Sequence, residues 1–400
     1  MTSPPAPVPE PPTAARPQHR AADSADSFFR QLCPPGYVLD VRPNPPPPAG
    51  RRGKASKAGA SARQALPGVV LLSRSCDAEL DAVARLLGQV GIPTARINAD
   101  ELAATDLLID PGRGAIRHDD RWIAPTVVWK RHFSARAIEG SARPAYDLFR
   151  RDSWRAVADQ LAALSSVALG LRSPGLLEQG LVARGCRVAV PQTVVTTDPA
   201  AAGEFLGDQR RLVVKALDQH FVEASPGRLS GVFPIVVNSL ELPSAPRPGP
   251  PVIVQEYIDH DAELRVYYAD GRVHGFEVGK EAAADPWLAP DRVTVRPTEL
   301  SETVVSTTTM LAQGLSLRYA AFDFLLQGDT PVFLEANPDG DWLWAEAKAR
   351  TARVTLAVAH MLCELHRSYR PSLAAAGSRV AGSFDLISFL APQAGSASPG

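Results

Sequence analysis

Asp323, Glu335 and Asn337 are the residues of this chain best spaced to do chemistry. Asp323 lies in an apolar run, Ala320-Ala321-Phe322-Asp323-Phe324; Gln327-Gly328-Asp329 is a turn signal; Val332-Phe333-Leu334 then opens a second apolar strand that delivers Glu335 and Asn337. Residues two apart on a strand share a face, and a tight turn folds two such strands into a hairpin. The spacing thus brings three oxygen-bearing side chains to one end of a hairpin. Hard cations such as Mg²⁺ bind carboxylate, amide and phosphate oxygens, and need few protein ligands where a nucleotide supplies the rest. A Mg²⁺-nucleotide site is therefore expected here. A hairpin with ordinary polar side chains toward solvent has the same spacing, so context must separate the two.

Upstream, the chain offers in order the other groups that a nucleotide needs. Arg211-Leu212-Val213-Val214-Lys215-Ala216-Leu217 reads as a strand with one lysine, which could hold phosphate oxygens as a point charge. Ser225-Pro226-Gly227-Arg228-Leu229-Ser230-Gly231 reads as a loop whose backbone N–H groups can approach phosphate closely. Gln255, Glu256, Tyr257 and Ile258 end the next apolar strand, where alternating backbone N–H and C=O groups suit an adenine edge. Glu263 can accept hydrogen bonds from ribose hydroxyls, and Arg265 offers a fork of donors to a transferring phosphoryl group. Each has a plain alternative: Lys215 as an ordinary strand lysine, Glu263 and Arg265 as a cross-strand ion pair of little weight. His220, His260 and His274 are isolated from partners in sequence and read as solvated or core histidines. Trp342 and Trp344 read as packing residues. Lys130 and Arg131 read either as a solvated strand end or as a receptor for an acidic peptide.

These groups must be positioned by two α/β blocks. Val69-Val70-Leu71-Leu72 is a buried-type strand, and over 77–90 the apolar positions Leu80, Val83, Ala84, Leu86, Leu87 and Val90 recur at helical spacing. Gly91 stops that helix and Thr94-Ala95-Arg96-Ile97 is the next strand, giving a βαβ unit. A strand over 127–131 and an amphipathic helix over 146–164 complete a small α/β domain, 67–170, suited to binding a partner or substrate. Residues 171–370 then alternate strands with a few helices, over 176–184, from the Thr196-Thr197-Asp198-Pro199 cap, and over 351–367, as an α+β unit does. Residues 1–66 are dense in Pro, Ala, Ser and Arg, with Pro45-Pro46-Pro47-Pro48 and a basic patch at Arg51-Arg52-Gly53-Lys54. Such a segment cannot bury enough apolar surface to order, so a tail is expected there, with Phe28, Phe29 and Leu32 as an apolar island. Residues 371–400 are expected to form a second, weakly ordered tail.

Composition excludes several classes. The 400 residues are 45% hydrophobic with a formal net charge of -1, which fits a globular protein and not a binder of nucleic acid. Cys33, Cys76, Cys186 and Cys363 are scattered without a CxxC pair, which argues against a zinc site or a disulfide framework and suits a reducing cytoplasm. There is no bilayer-length apolar run and no hydrophobic signal core, so a cytoplasmic protein without a membrane partner is expected.

The ordered series Val-Gln-Glu-Tyr-Ile, Glu263-Leu264-Arg265-Val266, Asp323 and Phe-Leu-Glu-Ala-Asn-Pro resembles the ATP-grasp superfamily of carboxylate-amine ligases, from about residue 174 to 367. Val127-Val128-Trp129-Lys130-Arg131, Asp285-Pro286-Trp287 and Asn337-Pro338-Asp339-Gly340-Asp341-Trp342 resemble, less specifically, the graspetide or microviridin-type maturases of ribosomally made peptides. The resemblance implies an ATP-grasp fold, of mixed α+β and α/β class, preceded by a small α/β domain. It implies phosphate contacts by Lys215 and Arg265, the two residues expected to act in catalysis, and adenine contact along Gln255 to Ile258. It also implies ribose contact by Glu263 and Mg²⁺ ligation by Asp323, Glu335 and Asn337. The implied reaction uses ATP and Mg²⁺ to activate a carboxylate as an acyl phosphate and joins it to an amine or hydroxyl of a precursor peptide. A small-molecule amino-acid ligase and an inactive ATP-binding scaffold are the competing expectations. Homodimers are common in such a family, though no interface is legible here. One departure stands out: a phosphate-binding lysine expected at a helix start is absent from Arg172-Ser173-Pro174-Gly175-Leu176-Leu177, where Arg172 offers a fork in place of a point charge. A second is Ala321, two residues before Asp323, where some relatives carry a basic residue.

Overall fold

The computed structural model describes residues 31–32, 37–41, 64–206, 211–218, 220–242 and 249–368. They belong to two units. The first draws on Met1–Pro35, Gln192–Leu217 and Val232–Tyr257. Its strands are antiparallel, in the order Ile235–Asn238, Arg211–Ala216, Val252–Glu256, Thr193–Thr196. Alternation along the strands puts Leu212, Val214, Val252 and Val254 on one face, where they pack with Ala202 and Leu206 of the Pro199–Leu206 helix. Lys215 and Gln255 stand on the opposite face with Ile253. Leu32, from the apolar island of the tail, is buried in this core, and its carbonyl accepts the Phe233 N–H at 2.9 Å. The rest of that island and residues 371–400 lie outside the described residues.

The second unit draws on Gly36–Pro191, Asp218–Gly231 and Ile258–Gly400. It contains the expected βαβ start: Leu66–Ser73, the Ala78–Gln89 helix and Thr94–Asn98, the two strands pairing in parallel. Arg121–Lys130 pairs on the other side of Leu66–Ser73, and the sheet continues antiparallel through Ala115–His118 to Leu107–Asp110. A second, fully antiparallel sheet runs Thr294–Thr298, Arg272–Gly279, Ala262–Ala269, Tyr319–Gln327, Thr330–Asn337. One of its faces, with Leu264, Val266, Phe322 and Phe324, packs against the Leu176–Gly185 and Glu302–Gly314 helices. The other face, with Tyr267, Phe276 and Ala321, joins a core with Trp129, Trp342 and the Arg353–Ser368 helix. Residues 225–231, read from sequence as a loop, instead form a hairpin of Phe221–Ser225 and Arg228–Gly231, to which Val38–Asp40 adds a third strand. Between the Leu176–Gly185 helix and the Thr193–Thr196 strand, Ala189 makes a single parallel bridge to Val332. Among the described residues no helix is long and apolar enough to cross a membrane.

Arg131 corrects the expectation of a solvated strand end or peptide receptor, because its side chain is wholly buried. Its guanidinium bonds Asp77 Oδ2 at 2.9 Å, Asp341 Oδ1 at 2.6 Å and Glu79, and lies 4.8 Å from the Trp342 ring centre. Asp77 also caps the Ala78–Gln89 helix through the Leu80 N–H, while Glu79 accepts the N–H groups of Trp342 and Leu343 at the start of the Leu343–Ala349 helix. Trp342 is fully buried, stacked 6.4 Å from Trp129, with its indole N–H on Thr355, so its packing role holds.

Removing one member of a buried ion cluster strands the others without compensation. Arg131→Met is therefore expected to lower stability by about 3–5 kcal/mol, read as a shift of the denaturant midpoint. Burial, against the pull of Arg131, pushes Glu79 up from 4.5 to about 7. The folded state then holds this proton more tightly than the unfolded chain, so stability from this group falls as pH rises from about 4.5 to about 7. Glu79→Gln is expected to remove that slope from melts measured between these pH values.

Candidate active site

Three strands of the antiparallel sheet place Arg265, Asp323 and Glu335 directly opposite one another in a single row. Tyr267, Ala321 and Asn337 form the next row. Side chains opposite each other on neighbouring strands share a face, with Cβ atoms about 5 Å apart. The face that is apolar at Tyr267 and Ala321 thus turns polar one row further on.

The pairing of Asp323 with Glu335 depends on a bulge. On the turn side Gln327 pairs with Thr330 and Phe324 with Phe333, but one step later Asp323 pairs with Glu335, leaving Leu334 unmatched. Had the turn-side register continued, Glu335 would stand opposite Phe322 and point into the core that holds Phe322, Phe324 and Phe333. Leu334 therefore rotates Glu335 and Asn337 onto the face that carries Arg265 and Asp323. Strand propensity in the sequence carries no sign of this extra residue.

Arg265 Nη1 donates to both oxygens of Asp323, at 2.9 and 2.7 Å, and its buried Nε has no hydrogen-bond partner. Burial opposes the Arg265 charge, but Asp323 outweighs it and keeps the guanidinium protonated. Burial also raises the Asp323 carboxyl above its ordinary range; Arg265 opposes this and Glu335 adds to it. One guanidinium thus faces two carboxylates whose mutual repulsion is only partly relieved. Asn337 Oδ1 accepts the Asp339 N–H at 3.0 Å, which ties the Thr330–Asn337 strand to the turn that follows and leaves a second lone pair on that oxygen.

Lys280, which carries no signal in the sequence, and His260 and His220, expected to be isolated, stand beside Glu263 and Glu335. Lys280 Nζ lies 2.8 Å from Glu263 Oε2, and His260 Nε2 lies 3.8 Å from its Oε1, so Glu263 sits between a lysine and a histidine rather than alone. His220 is not isolated: its Nε2 is 3.7 Å from Glu335 Oε1, and its ring centre is 4.8 Å from that of Trp287. Trp287 belongs to the short Asp285–Leu288 helix, held by Asp285 accepting the N–H groups of Glu281 and Ala282. Ala321 also has a spatial reason. A Cβ on Gly340 would stand 2.4 Å from Ala321 Cβ and 3.1 Å from Arg265 Nη2, so the Asn337-to-Gly340 turn leaves no room for a long residue at 321. Arg172, considered as a substitute for the missing lysine, pairs with Glu178 at 2.5 Å.

In the first unit Lys215 is buried, opposite Ile253 in register. The side chain of Gln255 donates to Thr193 at 2.8 Å, and Glu256 Oε1 accepts the Gln192 N–H at 2.8 Å. The backbone N–H groups of Glu256 and Tyr257 donate to the carbonyls of Gln192 and Arg211, and the Arg211 guanidinium lies 3.6 Å from the Tyr257 ring centre. Among the described residues no three His, Cys, Asp or Glu side chains are arranged to hold a metal ion by themselves.

No protein-family model matches the chain, and no curated protein does. Solved structures do. The macrocyclase MdnC from Microcystis aeruginosa MRC, bound with precursor peptide MdnA, superposes with a TM-score of 0.62 at 20% identity, over 74% of this chain and 99% of that one. The RiPP-associated ATP-grasp ligase of Chryseobacterium gregarium, in complex with ADP and a leader and core peptide, gives 0.58 at 21% identity, over 75% and 97%. The ATP-grasp ligase PsnB, complexed with a phosphomimetic variant of its minimal precursor, Mg and ADP, gives 0.58 at 18% identity, over 76% and 99%. This chain has the ATP-grasp fold. Within that fold the Arg265–Asp323–Glu335 row lies where the sequence motifs led, on one face of one sheet. Because a Cβ at position 340 would collide with Ala321 and crowd Arg265, Gly340→Ala is expected to cost about 1–3 kcal/mol of stability, measured by chemical denaturation.

Proposed function

We propose that this protein is an ATP-dependent ligase that activates a side-chain carboxylate of a ribosomally made precursor peptide and joins it to a hydroxyl or amine of the same peptide. The observation that carries this reading is the row of Arg265, Asp323 and Glu335 with Asn337 beside it, on a fold shared with ligases bound to precursor peptides and ADP. The donor set suits Mg²⁺: two carboxylates and an amide oxygen, with the remaining positions left to phosphate oxygens and water. When bound there, Mg²⁺ supplies charge neutralisation and orientation of the β- and γ-phosphates. The partnerless Nε of Arg265, buried beside this set, is a donor for an anionic oxygen.

In the proposed reaction a substrate carboxylate oxygen attacks the γ-phosphorus, the bond to the ADP oxygen breaks, and an acyl phosphate forms. Attack of the acceptor oxygen or nitrogen on the acyl carbon then expels inorganic phosphate, and the acceptor loses its proton to solvent. Arg265 stabilises the charge spread over the transferring group, and Lys215 holds phosphate oxygens. Gln255 to Ile258 meet adenine, chiefly through backbone carbonyls since the Glu256 and Tyr257 N–H groups serve the fold. Glu263 meets the ribose, with Lys280 and His260 holding its carboxylate in place.

An ATP-binding scaffold without turnover is the second reading, favoured by the engagement of Arg172 with Glu178 and by the missing helix-start lysine. Incubation of the protein with Mg·ATP and a candidate peptide rich in Thr, Ser, Asp and Glu separates the two. A ligase releases one ADP per bond and removes the mass of one water from the peptide; tight ATP binding with neither result supports the scaffold. Glu335→Gln is expected to cut Mg²⁺-dependent turnover by about 100-fold or more while the protein melts like wild type. An unchanged rate would remove Glu335 from the metal set.

A further inference from the structure

The Phe221–Ser225 and Arg228–Gly231 hairpin is a rigid template in its own right. Glu223, almost wholly buried, accepts both terminal nitrogens of Arg74 at 3.1 and 2.8 Å and the turn N–H of Gly227 at 2.9 Å. The hairpin's turn and base are therefore fixed without help from its outer edge. On that edge lies a segment some 190 residues earlier in the chain. Val38 pairs with Ser230, Leu39 with Leu229 and Asp40 with Arg228, antiparallel; the Val41 N–H donates to Gly227 O at 2.8 Å, and the Tyr37 ring stands 6.5 Å from that of Phe221.

Several features mark this strand as an added ligand rather than a part of the sheet's core. Pro34 and Pro35 precede it in the sequence and Pro43, Pro45 and Pro46 follow, residues that cannot donate to a ladder, and the described strand is three residues long. Val38 and Leu39 remain 41% and 42% exposed, so little apolar burial holds them. What does hold them is main-chain pairing, which accepts many sequences, plus one specific cross-strand match of Asp40 with Arg228. The segment's own composition gave no reason to order; it orders because an open strand edge satisfies its backbone.

We propose that the outer edge of the Arg228–Gly231 strand is a docking edge for extended peptides of the pattern aromatic-apolar-apolar-acidic, and that Tyr37–Val41 is its tethered, exchangeable occupant. Docking within one chain proceeds at an effective concentration of order millimolar, so the tethered strand keeps the edge closed to a weak peptide in trans. This inference concerns binding alone and stands apart from the ligase reading.

The test uses the full-length chain and a fluorescently labelled synthetic peptide with the sequence of residues 34–42. Leu39→Pro removes one N–H from the strand and bends it, and should free the edge. Fluorescence anisotropy is expected to show saturable binding to Leu39→Pro roughly ten-fold or more tighter than to wild type. As the second measurement, Arg228→Glu in the Leu39→Pro background should weaken this peptide and restore binding to the same peptide carrying Asp40→Arg. Equal binding by wild type and Leu39→Pro would show that the segment does not occupy the edge, and absence of binding by both would show that the edge docks no peptide. Indifference to the charge exchange would refute the register. Each of these results overturns the proposal.

Discussion

A guanidinium shut away from water must be surrounded by anions, and Arg131 imposes that requirement on the larger unit. Its anions come from the cap of one helix, from the first turn of the same helix and from the loop that enters another. Each anion has a second duty: Asp77 caps, Glu79 holds the Trp342 and Leu343 amides, and Asp341 also meets His132 at 2.9 Å. The mixed sheet, whose Arg121–Lys130 strand ends just before Arg131, is thereby coupled to the segment that leaves the Thr330–Asn337 strand. Tyr319 and Tyr267, whose hydroxyls donate to the carbonyls of Gly340 and Asp341, fix the same segment from below. Placement of Asn337 and its turn therefore derives from a charge cluster outside the Arg265–Asp323–Glu335 row.

The sheet itself explains why a polar site can sit on an otherwise apolar face. Tyr267, Phe276 and Ala321 are covered by the core that contains Trp342, whereas one row away Arg265, Asp323 and Glu335 are only partly covered. Half-burial strengthens the electrostatics of these groups without excluding a ligand. The surplus of negative charge in the row, with an unsatisfied guanidinium nitrogen at its edge, suits a cation and an anion arriving together.

Much of this was legible in the residues. Helical spacing from Leu80 to Val90 and the Gly91 stop gave the βαβ unit, and the Asp323 to Asn337 motif gave a hairpin, although the shared face of Asp323 with Glu335 and Asn337 rests on the Leu334 bulge. These signals are local, and local periodicity is what a sequence displays. What stayed hidden depends on partners far along the chain. Lys130 and Arg131 are adjacent and both basic, yet one meets Asp159 at the surface and the other is sealed among three acids. His220 and Lys280 reach the site only because the sheet brings Glu335 and Glu263 to them. Val38–Asp40 looked like tail because its composition cannot pay for order, and only the distant hairpin edge supplies what the strand lacks.

The unmatched Leu334 divides the hairpin into two registers that need not change together. On the turn side, the pairs from Phe324 with Phe333 to Gln327 with Thr330 answer to the Gly328-Asp329 turn; on the other side, the pairs from Asp323 with Glu335 to Ala321 with Asn337 answer to the neighbouring Ala262–Ala269 strand. Gain or loss of a residue at the turn can be taken up at the bulge, with the pairing of Asp323 with Glu335 left in place. The same change between Leu334 and Asn337 would carry a carboxylate into the phenylalanine core. Tolerance to drift in chain length is thus high on one side of a single leucine and close to nil on the other.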